Sequence, residues 1–182
     1  MTAAAFTHRL ARTDDVAVLK PLMESAIRQL QKDFLPPDAI AASFEVMGLD
    51  SQLIADGTYY VVESGAAVAG CGGWSRRATL FGGDHSAGRD AALLDPATDA
   101  ARVRAMYTSP AFARRGVGRT ILALCEAAAA AEGFAKVELG ATLAGEPLYR
   151  ACGYRPIERI AVPTSSGIAI PILRMGKALA AR

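Results

Sequence analysis

A basic segment with two glycines, residues 113–120, carries the clearest chemical signal in the chain; it runs Ala-Arg-Arg-Gly-Val-Gly-Arg-Thr. Gly116 and Gly118 have no side chain that would keep a ligand away from the backbone. An alanine-rich stretch typical of a helix follows, and the first turn of a helix has unpaired N–H groups and the positive end of the helix dipole. These features and three arginines predict an anion site, which suits the pyrophosphate of a cofactor.

Three kinds of phosphate-binding motif compete for this segment. A P-loop has a lysine and then a serine or threonine after its second glycine, whereas Arg119 follows Gly118 here. A dinucleotide fingerprint has a third glycine, where this chain has Ile121, and an acidic residue ending the next strand, where this chain has Leu139. A dinucleotide-binding protein stays an alternative, and a coenzyme A loop is the third possibility.

Two segments of the chain resemble the GNAT superfamily of N-acetyltransferases. In that family a strand, a proline and a Gln/Arg-x-x-Gly-x-Gly/Ala loop precede a helix, and residues 106–110 and 114–122 match this order. Downstream, residues 148–154, Leu-Tyr-Arg-Ala-Cys-Gly-Tyr, are similar to the family's LYxxxGF segment. The chain departs from the family at Ala113, where Gln or Arg is usual, and at Thr142, where Asn is frequent.

The resemblance implies that acetyl-CoA is the co-substrate and that no metal is used. It implies cofactor contacts from the strand before the loop, from the loop and from the position of the family's Asn: Met106, Tyr107, Thr108, Arg114, Arg115, Gly116, Val117, Gly118, Arg119, Thr120 and Thr142. Backbone N–H groups supply most loop contacts in the family, so Ala113 should weaken binding little. Tyr149 is implied as the general acid that protonates the departing thiolate, with packing on a short helix as its alternative role.

Transfer of an acetyl group to an amine also requires a proton to be removed, because a lysine-like ammonium has a pKa of about 10.4. No motif identifies the base, and in the family a water relay frequently takes its place. By residue type the candidates are Glu63, Asp84, His85 and Glu138.

The resemblance also places the end of one strand, residues 74–77, toward the acceptor. Arg76 and Arg77 there suggest an acceptor with a carboxylate or a phosphate. A solvated strand end is an equal alternative.

Length and composition predict one domain over residues 1–182, with 52% hydrophobic residues to form its core. The net charge of +2 gives no strong basic field for nucleic acid. No apolar run approaches the roughly 18 residues that cross a bilayer, and the N-terminus does not look like a signal peptide. Cys71, Cys125 and Cys152 lack metal-ligand spacing and are expected to be buried thiols in a reducing compartment. We therefore expect a cytoplasmic protein without nucleic-acid or membrane partners.

The pattern along the chain predicts the element order βααβββαβαββ. Strands are expected over 6–12, 58–63, 67–77, 102–109, 134–139, 157–162 and 168–173, and helices over 13–30, 37–47, from the glycine loop to 133, and 145–151. Pro21 either kinks the first helix or precedes its regular part, and Pro171 suggests that the last strand is an edge strand. The segment 82–99 is expected to be a functional lid or a disordered loop.

The fold class expected from this order and the resemblance is α/β (α+β), with a GNAT-like, mixed, mostly antiparallel sheet of about seven strands flanked by helices. The main hypothesis is an N-acetyltransferase that moves an acetyl group from acetyl-CoA to a primary amine by direct attack in a ternary complex. The acceptor would be a small molecule or a peptide, and family members are often homodimers. A non-catalytic acyl-CoA-binding sensor is the alternative, because no base or acceptor motif stands out.

Overall fold

The computed structural model describes residues 6–180, and its centre is a sheet of seven strands. The strands are β1 Thr7–Leu10, β2 Tyr59–Ser64, β3 Ala67–Ser75, β4 Ala101–Thr108, β5 Lys136–Ala141, β6 Arg155–Pro163 and β7 Ala169–Ala178. The α-helices are α1 Val16–Leu30, α2 Pro37–Ser43, α3 Ser51–Ala55, α4 Val117–Ala131 and α5 Glu146–Ala151. The strand order is β1-β2-β3-β4-β5-β7-β6, and β4 pairs with β5 in parallel while the other neighbours are antiparallel. This confirms the predicted fold class.

The predicted helices are present, with one addition. Helix α3 was not expected; it is short, and the Asp50 side chain caps it by accepting the N–H of Gln52 at 3.2 Å. Helix α1 continues through Pro21 without interruption, so its regular part begins before the proline. A short 3-10 turn over Thr13–Asp15 leads into it.

The last hairpin corrects one prediction. Strand β6 forms the edge of the sheet, whereas β7 lies between β5 and β6. Pro171 is nevertheless placed where a proline fits, because β5 pairs with β7 only from Leu173 onward in the described register. At Pro171 the neighbour of β7 is Ala161 of β6. The strand is therefore interior over one half and edge-like over the other.

Glycines in β3 allow α4 to pack close to the sheet. A Cβ at Gly70 would lie 2.5 Å from Cγ1 of Val117, and one at Gly72 would lie 2.7 Å from Cγ2 of Ile121. Such distances are too short for carbon atoms that are not bonded, so larger residues would push α4 outward. These glycines of β3 therefore set the position of the helix that follows the glycine loop.

Strand β4 contains a bulge next to its middle. Gly73 pairs with Arg104 and Cys71 with Tyr107, so β4 uses one residue more than β3 over the same length. Ala105 in the bulge has a φ of 50°, which is uncommon for a residue with a side chain. The bulge places Arg104 and Tyr107 on the same side of the sheet although three positions separate them.

Strands β4 and β5 are neighbours over a short length. Their described pairs are Ala101 with Val137 and Arg102 with Glu138. Past these pairs, a cavity of about 80 Å³ lies between residues 103–107 of β4 and the end of β5. The sheet is thus open at its centre, on the side where the glycine loop follows β4.

Candidate active site

The glycine loop leaves the first turn of α4 without internal partners. Gly116 has a φ of 90°, and the helix begins at Val117 with no side chain capping it. The N–H of Thr120 reaches the Gly116 carbonyl at 3.0 Å, but the N–H groups of 117–119 have no acceptor among the described residues. A Cβ at Gly116 would meet no atom within 4 Å, so the space beside this turn is open. Unpaired donors beside open space fit a pyrophosphate.

The side chains of the loop add charge without binding to the protein's own acids. Arg114, Arg115 and Arg119 are exposed, and none pairs with a carboxylate of residues 6–180. The guanidinium of Arg115 lies over the Phe112 ring, 5.0 Å from its centroid. Val117 is buried, so it can reach a ligand only through its N–H.

Gly118 joins the loop to the next candidate residue. A Cβ at this position would lie 2.6 Å from Cδ2 of Leu148 on α5. The missing side chain thus makes room for α5, a reason that differs from the expected approach of a ligand. Because Tyr149 follows Leu148, the start of α4 also determines where this tyrosine lies.

Tyr149 lines the cavity between β4 and β5. The cavity is lined by Val46, Met47, Leu80, Phe81, Gly82, Val103, Arg104, Ala105, Met106, Tyr107, Leu139, Gly140, Thr142, Tyr149 and Ile172. The phenol of Tyr149 has one hydrogen-bond partner among the described residues, the sulfur of Met106 at 3.9 Å. Since a thioether is a weak acceptor, the proton of this phenol is free to be donated to a better one.

The surroundings of Tyr149 keep it protonated. Burial raises the pKa of the phenol above its ordinary value, and the neighbouring Cys125 and Cys152 act in the same direction. The ring packs edge-on against Tyr154, with 5.9 Å between centroids. A neutral, oriented phenol is what a general acid requires at neutral pH.

Two residues predicted to contact the cofactor have structural partners. The Tyr107 hydroxyl accepts the N–H of Gly48 at 2.8 Å, and its ring packs in the apolar cluster against α1. Thr142 accepts the N–H of Gly145 through its hydroxyl at 3.2 Å, which stabilises the start of α5. Both residues also line the cavity, whereas Thr108 does not line the described cavity.

Two of the candidate bases are held in ion pairs. Glu63 lies 3.1 Å from the guanidinium of Arg9 near the β1 edge of the sheet. Glu138 is shared by Arg102 and Arg174, with its contact to Arg174 at 2.6 Å. Neither carboxylate lines the cavity.

The other two candidates, Asp84 and His85, lie at a second cavity of about 280 Å³ beside α1. The Asp84 carboxylate accepts the N–H of Ser51 at 3.0 Å. His85 donates from Nε2 to the Phe44 carbonyl at 2.6 Å. Among the described residues, the cavity between β4 and β5 therefore has no carboxylate or imidazole in its lining.

The two arginines after β3 are held in ion pairs. Arg76 pairs with Glu132 at 2.6 Å and Arg77 with Asp56 at 2.8 Å. Trp74 before them is buried against Phe134. The ion pairs engage both guanidinium groups at the end of the strand, and contact of these arginines with an anionic acceptor stays a suggestion.

A buried ion network at the cavity wall had no signal in the sequence. Asp50 is 0% exposed and contacts two guanidinium groups, that of Arg104 at 2.8 Å and that of Arg89 at 2.9 Å. Arg104 also donates to the Gly82 carbonyl at 2.6 Å, and Arg89 donates to the Gly83 carbonyl at 2.9 Å. These contacts anchor the start of the long segment 82–99.

The charge of Arg104 persists in this environment. Burial lowers the pKa of its guanidinium, and the Asp50 carboxylate opposes that shift. Because the ordinary pKa of arginine is far above neutral, the group stays protonated. Asp50, Arg89 and Arg104 lie far apart in the chain, so the spacing of residues in the sequence could not reveal their ion network.

The open sheet, the uncapped turn and the half-buried Tyr149 agree with what a family comparison finds. The model of the GNAT acetyltransferase domain matches residues 55–156, more than half of the 182 residues. The chain therefore belongs to the GNAT acetyltransferase family, which places it among acyltransferases. No curated protein matches it in sequence.

Solved structures share the fold over almost the whole chain. A GCN5-related N-acetyltransferase from Rhodopseudomonas palustris has a TM-score of 0.71 at 20% identity, covering 98% of this chain and 99% of its own. PaiA N-acetyltransferase from Thermoplasma acidophilum, in complex with coenzyme A, has a TM-score of 0.65 at 11% identity, with 96% and 99% covered. The putative acetyltransferase yncA from Salmonella typhimurium, with acetyl-CoA, has a TM-score of 0.64 at 16% identity, with 98% and 96% covered.

Three further findings concern the described residues. Two cysteines, Cys71 and Cys125, are buried as predicted, whereas Cys152 is partly exposed; burial raises the pKa of Cys71 to about 12. None of the helices within 6–180 is long and apolar enough to cross a membrane. In the same range, no group of three or more His, Cys, Asp or Glu side chains is placed to hold a metal ion.

Proposed function

We propose that this protein transfers an acetyl group from acetyl-CoA to a primary amine by direct attack in a ternary complex. The observation that carries the proposal is the close contact between Gly118 and Leu148. This contact connects an anion-binding turn to a protonated phenol in a cavity that opens the sheet. A site for a phosphate-bearing donor and a proton donor for its leaving group are thus built as one unit.

The donor would be held mainly by backbone groups. The N–H groups of 117–119 suit the pyrophosphate, and Arg114, Arg115 and Arg119 add positive charge around it. Thr120 supports the turn by donating its hydroxyl to the Gly116 carbonyl at 3.2 Å. The pantetheine arm would lie along residues 106–108 of β4, whose backbone toward β5 has no described partner there.

The chemistry requires one bond to form and one to break. The amine nitrogen bonds to the acetyl carbon, the carbon–sulfur bond breaks, and the amine loses a proton. Tyr149 gives its phenolic proton to the sulfur, because the sulfur leaves more easily as a neutral thiol than as a charged thiolate. Because the described cavity lining has no side-chain base, water takes the amine proton in this proposal. A proton then returns from water to the Tyr149 phenolate, which restores the phenol for the next cycle.

We extend the proposal to the context of the reaction. The whole chain, 1–182, would be one acetyltransferase domain, because one sheet joins strands from Thr7 to Ala178. The free thiols Cys71 and Cys125 suit a reducing compartment such as the cytoplasm. A homodimer would be compatible with the exposed edge strand β6, and sedimentation analysis measures it directly.

A non-catalytic acyl-CoA sensor is the second candidate, favoured by the absence of a carboxylate or imidazole from the described cavity lining. Two measurements separate the candidates. Thermal shift with CoA and with NAD tests the ligand, and release of free thiol from acetyl-CoA with a panel of primary amines tests turnover. CoA stabilisation with amine-dependent thiol release supports the transferase. Stabilisation without amine-dependent release supports the sensor, and stabilisation by NAD alone contradicts both.

A further inference from the structure

Arg104 is a buried charge at the wall of the cavity, and one of its nitrogens has no hydrogen bond. The residue is 4% exposed, and its Nε and, in the same ion pair, Oδ2 of Asp50 have no hydrogen-bond partner among the described residues. Its other two nitrogens contact Asp50 and the Gly82 carbonyl. A buried N–H without an acceptor is uncommon in proteins, and at the edge of a cavity it indicates a missing partner.

The charges around Arg104 do not cancel. Asp50 is one carboxylate shared by two guanidinium groups, those of Arg104 and Arg89. The three groups therefore leave one positive charge beside the cavity. Asp84, the other acid that acts on Arg104, is exposed and accepts the N–H of Ser51. A ligand with a negative group would complete this network.

The remaining cavity wall limits what that ligand is. Met47, Phe81 and Ile172 provide apolar surface, and no carboxylate or imidazole among the described residues faces the same space. A cationic chain such as a polyamine would find no counter-charge there. The positive charge of Arg104 also disfavours an ammonium beside it, which helps an acceptor amine to lose its proton.

We propose that Arg104 binds a carboxylate of the acceptor, so that the acceptor is a small amino acid-like amine with an apolar side chain. This inference rests on the proposed function and adds the substrate class to it. Arg104 would act as a specificity-determining residue on the α1 side of the sheet, while the loop 113–120 and Tyr149 handle the donor from the other side.

The test compares acceptors that differ only in the carboxylate: leucine with 3-methylbutylamine, and phenylalanine with 2-phenylethylamine. Wild-type kcat/KM should favour each amino acid by about tenfold to a hundredfold, as expected for a charge-assisted hydrogen bond. In Arg104→Lys the preference should fall toward one. The control Arg76→Lys, at a surface pair with Glu132, should keep it.

Each other outcome has a defined meaning. Equal wild-type rates within a pair, or faster reaction of the amine without the carboxylate, overturn the proposed substrate class. An Arg104→Lys variant that loses the same factor on both acceptors also overturns it, because the arginine would then serve the fold or the transfer step.

Two further measurements are decisive if the Arg104→Lys variant does not fold or if the proposed function is wrong. If Arg104→Lys does not fold, product inhibition of the wild type decides: N-acetylleucine should inhibit at least about tenfold better than N-(3-methylbutyl)acetamide, and equal inhibition overturns the proposal. The thermal shift with CoA distinguishes a failure of this inference from a failure of the proposed function. Stabilisation by CoA with turnover only of amines lacking a carboxylate overturns this inference alone, whereas lack of stabilisation overturns the proposed function with it.

Discussion

The two faces of the sheet beside the opening between β4 and β5 are built in different ways. The donor face, which is the face proposed to bind the cofactor, consists of the loop 113–120 with α4 and α5, and it is built from backbone N–H groups and from neighbours close in the chain. The acceptor face, which is the face proposed to bind the acceptor, consists of residues 44–50, residues 80–89 and Arg104, which meet through a fully buried carboxylate, Asp50. One face depends on helix geometry and glycines, the other on charges brought together from distant segments.

This difference has a consequence for how each face would change in evolution or in mutagenesis. A backbone site tolerates exchange of its side chains, as the Ala113 position suggests, provided that the turn keeps its shape. A site built from buried charges does not tolerate the loss of any member, because each charge depends on the others. The donor face is therefore suited to a constant cofactor, and the acceptor face can define a particular acceptor.

The largest effect is expected for Asp50→Asn. Removing the carboxylate leaves two guanidinium groups without their shared partner, and loss of one member of a buried pair costs about 3–5 kcal/mol. Denaturant unfolding should show a decrease of this size. The control Asp56→Asn, which loosens the more exposed pair with Arg77, should cost about 1 kcal/mol or less. Equal losses in the two variants would show that the buried network has no special role.

The next effect concerns the connection between the faces, through Tyr149→Phe. Removal of the phenolic proton should lower kcat by about a hundredfold or more, the range for a general acid. The Kd for CoA should stay the same, because the N–H donors of α4 are unchanged. Tyr154→Phe is the matched control, since its hydroxyl donates to Glu126 at 3.0 Å and not to the cavity. Unchanged turnover of Tyr149→Phe would contradict the role of this residue.

Gly116→Glu tests the donor face alone. A side chain at a φ of 90° strains the turn, and its carboxylate repels a pyrophosphate. The Kd for CoA should rise about thirtyfold, or about 2 kcal/mol, by titration calorimetry. Gly57→Glu places the same side chain at a φ of 68°, also with no atom within 4 Å, and should leave the Kd unchanged. Retained affinity in Gly116→Glu would place the cofactor elsewhere.

The smallest effect is expected for Arg119→Gln. One exposed charge near the anion should contribute about 0.5–1 kcal/mol at low salt, so the Kd for CoA should rise about threefold. The difference should shrink as salt is added, since an exposed charge is screened. Arg155→Gln, an exposed arginine on the edge strand β6, serves as the control. A salt-independent loss would mean that Arg119 shapes the turn and does more than attract the anion.

Much of the donor face could be predicted from the sequence because its signals are local. The glycine loop, the helix after it and the Tyr149 segment are contiguous stretches whose residue types reflect backbone needs. The purpose of Gly118 could not be predicted, because its contact with Leu148 depends on how two helices meet in space. The roles of the loop residues in binding stay predictions.

The acceptor face could not be predicted for the same physical reason. The number of arginines in a sequence does not tell which of them find carboxylates. For Arg76 and Arg77 the sequence left contact with an acceptor and a solvated strand end as equal alternatives, and it did not show that they pair with Glu132 and Asp56. Arg104, which gave no signal, is the arginine that lines the cavity. Pairing of side chains across long separations is decided by the fold, and a local pattern does not contain it.

The bulge at Ala105 also limits changes in the length of β4. With one extra residue in the strand, the positions before and after Ala105 follow opposite alternations of in and out. Deleting this residue would rotate the segment that leads into the glycine loop and turn Met106 and Tyr107 to the wrong sides of the sheet. A substitution at 105 leaves this arrangement in place, and glycine would even relieve its backbone. The bulge therefore fixes the number of residues in β4, whereas the residue type at position 105 can change.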